Sequence, residues 1–351
     1  MYFLFMLACS TEKPAEKPKP TPVAEVKPPA EAVNAAALTI FKALPKDMND
    51  AKYPTSEALV SLGRILYYDA RLSKNQEISC NSCHQLDNYG VDSKPTSPGH
   101  KGQLGGRNSP TSYNAAGHFV QFWDGRAADV EAQAKGPVLN PVEMAMKDEA
   151  SVVAVLKSIP GYADLFKAAF PGEADPITYD NMAKAIGAFE RGLVTPGAFD
   201  KYLAGDASAL TAEQKKGLQT FIDSGCVSCH SGAYVGGSMY QKVGLVEAWP
   251  NQKDQGRFDQ TKNEADKMMF KVPSLRNIEK TGPYFHDGSV TDLNEAIKMM
   301  AKHQVGKELT PEQLAEIRAF LGSLTGEVPA AYVAKPELPA SGPTTPKANP
   351  S

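Results

Sequence analysis

The stretch Cys80-Asn81-Ser82-Cys83-His84 recurs once, as Cys226-Val227-Ser228-Cys229-His230. The spacing C-x-x-C-H is the attachment signature of c-type haem. Two thiols add across the vinyl groups of the macrocycle, and the adjacent histidine supplies an axial nitrogen to the iron. The chain has 351 residues but only 5 Cys and 6 His, so chance gives on the order of 0.001 such matches. Other readings of the cysteines are weaker. A redox C-x-x-C does not need His after both copies. A zinc site built from two such pairs has closer pairs than these, whose first cysteines lie 146 positions apart. Five cysteines are also too few for a disulfide framework of this size. The expectation is two covalently bound haem c groups. One sits on Cys80 and Cys83 with proximal His84, the other on Cys226 and Cys229 with proximal His230.

Composition narrows the class further. The 37 basic and 40 acidic residues leave a net charge of -3. No excess positive charge exists to displace counterions, which excludes a general nucleic-acid binder. The hydrophobic share of 42% is ordinary for a globular chain. No run reaches the ~20 apolar residues of a membrane-spanning helix, so a polytopic membrane protein is excluded. The length suggests roughly two domains of about 150 residues each.

The first nine residues form an apolar run ending at Ala8-Cys9-Ser10. This resembles the end of a lipoprotein signal peptide, with Cys9 as the lipidated residue, although no basic residue precedes the run. The plain alternative is a hydrophobic N-terminus with an unpaired thiol. Covalent haem attachment implies a compartment outside the cytoplasm, so the expected location is the periplasm, with Cys9 as a membrane anchor. Residues 10–39 are rich in Pro, Lys, Ala and Glu and read as an extended tether. Residues 328–351 have a similar composition and read as a disordered tail.

Between these ends the periodicity is helical. Residues 56–68 carry Leu59, Leu62 and Leu66 after the start signal Ser56. Residues 180–193 carry Met182, Ile186, Phe189 and Leu193. Thr211 with Gln214 forms a capping-box pattern, and the apolar face Leu218, Phe221 and Ile222 leads into Cys226. Thr310-Pro311-Glu312-Gln313 opens a last amphipathic helix with Ile317, Phe320, Leu321 and Leu324. A helix into C-x-x-C-H and a closing amphipathic helix have the look of a class I cytochrome c domain. The expected fold is mainly α, with one haem domain over 40–205 and a second over 206–327. The sixth ligands decide between electron transfer and small-molecule activation. Four further His (100, 118, 286 and 303) and 11 Met are candidates. Residue chemistry alone leaves that choice open.

Several ordered motifs resemble the bacterial dihaem cytochrome c peroxidases. They include Gly105-Gly106-Arg107-Asn108-Ser109-Pro110-Thr111, Phe122-Trp123-Asp124-Gly125-Arg126 and Asn140-Pro141-Val142-Glu143-Met144. Later come 270–277 (FKVPSLRN) and 282–288 (GPYFHDG), so the resemblance spans roughly 45–326. It implies two class I cytochrome c-like haem domains packed around an interdomain calcium site. It implies that the first haem is peroxidatic, with His100 as its removable distal ligand, Glu143 as the acid-base and Gln133 as a pocket residue orienting peroxide. It implies that the second haem accepts electrons and has Met300 as distal ligand, with Met299 one register away. Trp123 matches the aromatic residue between the haems. Asn108, Thr281 and Pro283 match the positions giving oxygens to Ca²⁺. The implied enzyme is a peroxidase that reduces hydrogen peroxide to water with electrons from a small cytochrome c or cupredoxin.

His118 and His303 match no family ligand, and His303 is a competitor of Met300. Dimers are common in the family, which leaves a homodimer open. Two other functions stay in view. One is a related dihaem enzyme oxidising a partner protein, a family that carries Tyr where this chain has Met300. The other is a dihaem electron-transfer cytochrome with both irons permanently six-coordinate.

Overall fold

In the computed structural model the described residues are Met1, Tyr2, Leu4 and 33–349. Cys9 and most of the expected tether lie outside them. The helix Glu57–Tyr68 starts where Ser56 accepts the Leu59 N–H at 3.2 Å, satisfying one of the orphan donors of its first turn. Leu62, Leu66 and Tyr67 are fully buried on its inner face. They meet the helix Tyr179–Glu190, which brings Met182, Ile186 and Phe189 to the same core. The crossing is close at Gly63, where a Cβ would stand 1.8 Å from the Ala185 carbonyl oxygen and 2.9 Å from Phe189 Cβ. Only glycine permits that approach.

The second half repeats the plan. Thr211 and Gln214 form a reciprocal capping box at the head of Ala212–Asp223. Thr310 and Gln313 do the same for Pro311–Gly322, with Pro311 in the first turn. Gly217 stands at this crossing, where a Cβ would be 1.8 Å from the Glu316 carbonyl oxygen and 3.1 Å from Phe320 Cβ. Phe199, Leu218, Phe221, Phe320 and Leu324 form a second apolar cluster. Among the described residues the only sheet is an antiparallel pair, Tyr240–Lys242 with Met269–Lys271, in the register Tyr240 to Lys271 and Gln241 to Phe270. The chain is helix-rich with little sheet.

Three stretches depart from the sequence reading. Residues 33–39, assigned to the tether, carry a short helix Ala35–Leu38 capped by Asn34. Val33 and Phe41 are buried in the second cluster, and Phe41 meets Phe199 edge-on at 5.3 Å. The helix Ala198–Leu203, assigned to the first domain, also packs with the second cluster through Phe199. The packing boundary therefore falls near Thr195 rather than 205.

The third departure is the tail, which is ordered along the first half. Tyr332 stacks on Phe189 at 5.2 Å and donates its hydroxyl to the Phe189 carbonyl at 2.7 Å. Tyr68 donates to the Val333 carbonyl at 2.6 Å, and Arg71 to the Pro339 carbonyl at 2.8 Å. Composition suggested disorder because the segment is proline-rich and nearly without apolar periodicity. Two anchoring side chains and donors reaching its carbonyls from the first half are enough to fix it.

Candidate functional site

Both C-x-x-C-H motifs line one cavity of about 690 Å³. Cys80–Cys83 is a single helical turn, steadied where the Ser79 N–H donates to Ser82 Oγ at 3.0 Å. In the second copy Gly225, at φ 88°, turns the chain out of Ala212–Asp223 into the short turn Cys226–Ser228. In each copy the His N–H donates to the carbonyl of the first Cys at 3.0 Å. That closes the motif so that thiols and imidazole share the cavity. Burial pushes the Cys80 thiol up to about 12 and Cys226 up to about 11. Thiols held protonated are poor redox nucleophiles, which argues against a thiol–disulfide site.

The imidazoles are oriented from behind. His84 Nδ1 is 2.9 Å from the Pro110 carbonyl, and His230 Nδ1 is 3.3 Å from the Val235 carbonyl. A carbonyl partner places the proton on Nδ1 and leaves the Nε2 lone pair as the ligand. Burial lowers the His84 pKa and takes His230 down to about 4, so both rings are neutral. The walls are largely apolar, with Ile78, Ala134 and Ile186 from the first half and Leu275, Ile297 and Leu321 from the second. Paired thiols, neutral imidazoles and apolar walls fit two covalent haem groups.

The remaining candidates divide by position. Glu143, Gln133, Trp123, Met300, Asn108, Thr281 and Pro283 all line this cavity. Gln133 lies on the helix Val130–Leu139, which starts where Asp129 Oδ1 accepts the Ala132 N–H at 2.9 Å. Glu143 Oε1 accepts from Asn140 Nδ2 at 2.8 Å. Burial raises the Glu143 carboxyl above its ordinary range, against the opposing pull of the Arg126 charge and the Asn140 hydrogen bond. Arg126 is itself held 3.4 Å over the Phe122 ring and at 3.1 Å from the buried Asp124 carboxylate. Trp123 Nε1 donates to the Asn108 carbonyl at 2.9 Å. Leu293, Ala296, Ile297, Met300 and Ala301 present one face of Leu293–Val305 to the cavity, and Met299 is off that face.

Two histidines are placed elsewhere. His303 turns away, edge-on to Trp249 at 5.4 Å with Nδ1 3.3 Å from the Glu247 carbonyl. It does not line the cavity. His100 is also off the cavity wall, although Gly99 is on it. The His100 N–H donates to the carbonyls of Val142 at 3.1 Å and Glu143 at 2.8 Å, and its buried Nδ1 has no hydrogen-bond partner. These backbone bonds seat the turn His100–Gly102 against the Glu143 segment.

Sequence reasoning left His118 without a role and missed Glu190 and Lys271, and all three line the cavity. Glu190 is pushed up to about 8 by burial and the nearby Glu131 charge. A signal for it existed, since it falls one turn after Ile186 on an apolar face. Lys271 stands inside the quoted stretch 270–277 but drew no role, because a lone lysine in a chain of this charge reads as surface.

A family model described as di-haem cytochrome c peroxidase matches residues 57–208. The cytochrome c551 peroxidase of Pseudomonas aeruginosa is 46% identical over 334 residues, covering 93% of this chain and 94% of the relative. The cytochrome c551 peroxidase of Nitrosomonas europaea is 46% identical over 299 residues, covering 85% and 88%. Among solved structures, a MauG-like protein associated with microbial copper homeostasis superposes with a TM-score of 0.76 at 30% identity, covering 84% of this chain and 97% of that one. The chain belongs to the di-haem cytochrome c peroxidase family.

Proposed function

We propose that this dihaem cytochrome c peroxidase reduces hydrogen peroxide at the haem of the first half and receives electrons at the haem of the second. When bound, the haem on Cys80 and Cys83 supplies the iron that meets peroxide, and the haem on Cys226 and Cys229 supplies the site where electrons arrive. The observation that carries the reading is that Glu143 and Gln133 converge on the cavity that also holds His84. Glu143 takes the proton from the near peroxide oxygen and returns it to the leaving oxygen as water departs. Burial suits it to the task, because a raised pKa makes the carboxylate a better proton acceptor and brings it nearer the working pH, where one group can both take and return a proton. The Gln133 amide orients peroxide beside it.

Met300 is the thioether on the electron-accepting side, where a soft ligand favours ferrous iron. Trp123 stands between the halves as a relay. His100 is the removable ligand of the first half. Its loop moves between a ligating position and the seated arrangement on the Glu143 segment, a two-state switch.

Calcium is assigned to Asn108, Thr281 and Pro283. The Asn108 amide nitrogen is committed to the Lys94 carbonyl at 3.0 Å, which presents the side-chain oxygen to a cation. Among the described residues no group of three or more His, Cys, Asp or Glu side chains converges on a metal. The ion would rest on amide and carbonyl oxygens, so its affinity would be moderate. The donor is a small cytochrome c or cupredoxin, and the compartment is the periplasm.

The test is peroxide turnover by the calcium-loaded protein, fully oxidised and then half-reduced, with optical spectra of both haems. Turnover only after half-reduction, with a high-spin ferric signal, supports the peroxidase and the His100 switch. Turnover in both states supports the peroxidase and removes the gate. No turnover in either state, with both haems low-spin, makes the protein an electron carrier.

A further inference from the structure

We propose that the Lys271 ammonium, set in place by His118, is the cation that holds a haem propionate beside Trp123. Lys271 is only 6% exposed, and its ammonium lies 3.2 Å from His118 Nδ1. Burying an ammonium without a counter-charge costs several kcal/mol. Among the described residues no carboxylate pairs with it, and burial alone lowers its pKa to about 8. His118 cannot be that counter-charge. Burial and the Lys271 charge push its pKa well below the ordinary value, so the ring is neutral.

A neutral His118 that accepts from Lys271 at Nδ1 carries its proton on Nε2. That Nε2 is buried and has no hydrogen-bond partner. Lys271 lines the cavity, and among the described residues its ammonium has no hydrogen-bond acceptor other than His118. A buried ammonium with donors left over at a cavity is completed by an anion. The propionate carboxylates of haem c are the anions that the cavity itself would bring. This step rests on the haem reading above.

The site is built in advance of its ligand. The Lys271 N–H donates to the Trp123 carbonyl at 2.8 Å, and the residue is paired across the strands to Tyr240. The His118 ring meets Tyr234 edge-on at 5.5 Å. On its other side Gly237, at φ 71°, comes so close that a Cβ would lie 2.5 Å from the His118 Cδ2. Lys271 and the ring it donates to are therefore held in one orientation. A cation against a propionate offsets the negative charge near the iron and raises the potential of that haem.

The test uses the full-length holoprotein with Lys271→Met and Lys271→Arg, and Lys271→Gln if the Met variant does not mature. Mass spectrometry counts the attached haems, which tests the haem reading independently. Spectroelectrochemistry and the propionate-bending band in resonance Raman then read the site. In the Met variant one haem drops in midpoint potential and its propionate band shifts, while the Arg variant keeps wild-type values. Two attached haems with both potentials and both bands unchanged in the Met or Gln variant would overturn the proposal and make Lys271 a packing residue.

Discussion

The N–H of His100 donates to the carbonyl of Glu143 at 2.8 Å. The loop that carries the proposed removable ligand is thereby fastened, through backbone, to the segment that carries the proposed acid-base. Moving one disturbs the seat of the other. Coupling of this kind needs no contact between the two side chains.

Gly99 is the point on which that seat depends. A Cβ there would stand 2.0 Å from the Val142 carbonyl oxygen and 2.8 Å from Glu143 Cα. Gly99→Ala is expected to unseat the loop and displace Glu143, lowering peroxide turnover by about 10²-fold, as misplacements of about 1 Å do. Haem content should be unchanged. Steady-state turnover beside a haem count checks this, and wild-type activity would refute it.

Glu143→Gln is expected to lower turnover about 10²- to 10⁴-fold, the usual worth of a positioned acid-base. Its carboxyl is raised by burial, so the acid limb of the wild-type profile should lie above the ordinary glutamate value of 4.5. The sign follows from its role: the proton acceptor must be ionised, so activity falls as pH drops through the raised value. Arg126→Met removes a charge that pulls this pKa down, and the acid limb should move up further. A pH profile of kcat/KM reads both shifts.

Met300→His should lower the potential of the second haem, because imidazole favours ferric iron more than a thioether does. Met299→Leu should leave that potential unchanged, since Met299 does not reach the cavity. Spectroelectrochemical titration of the two variants distinguishes the registers. A shift in the Met299 variant alone would reassign the ligand.

Tyr332→Ala removes a ring stacked on Phe189 and a hydroxyl bonded to its carbonyl at 2.7 Å. The expected loss is about 2–3 kcal/mol of stability, from apolar burial and one hydrogen bond together. Denaturant unfolding measures it. No change would return the tail to the disordered class that its composition suggests.

Glu190 should make stability fall with rising pH. Its folded pKa is raised to about 8 from 4.5, so the native state holds a proton that the unfolded chain has released. The stabilisation is full below about 4.5 and is lost as pH rises through about 8. Thermal melts of the holoprotein across that window should show the slope, and Glu190→Gln should flatten it.

The sequence by itself determined the covalent chemistry and the local elements. C-x-x-C-H is a contiguous pattern, and its chemistry depends on residues next to each other in the chain. The capping boxes at Thr211 and Thr310 and the apolar stripes behind them are equally local, because a helix start is settled within four residues. The helix-rich class followed from these.

Tertiary structure decided what depends on residues far apart. It turned Met300 and not Met299 to the cavity and His303 toward Trp249, because which face of Leu293–Val305 meets the cavity is a matter of packing. It seated His100 on the Glu143 segment and brought Lys271 to His118 across 153 positions. It also held the proline-rich tail in place with donors from Tyr68 and Arg71. Burial, orientation and charge pairing are properties of neighbours in space, and a single chain read in order does not carry them.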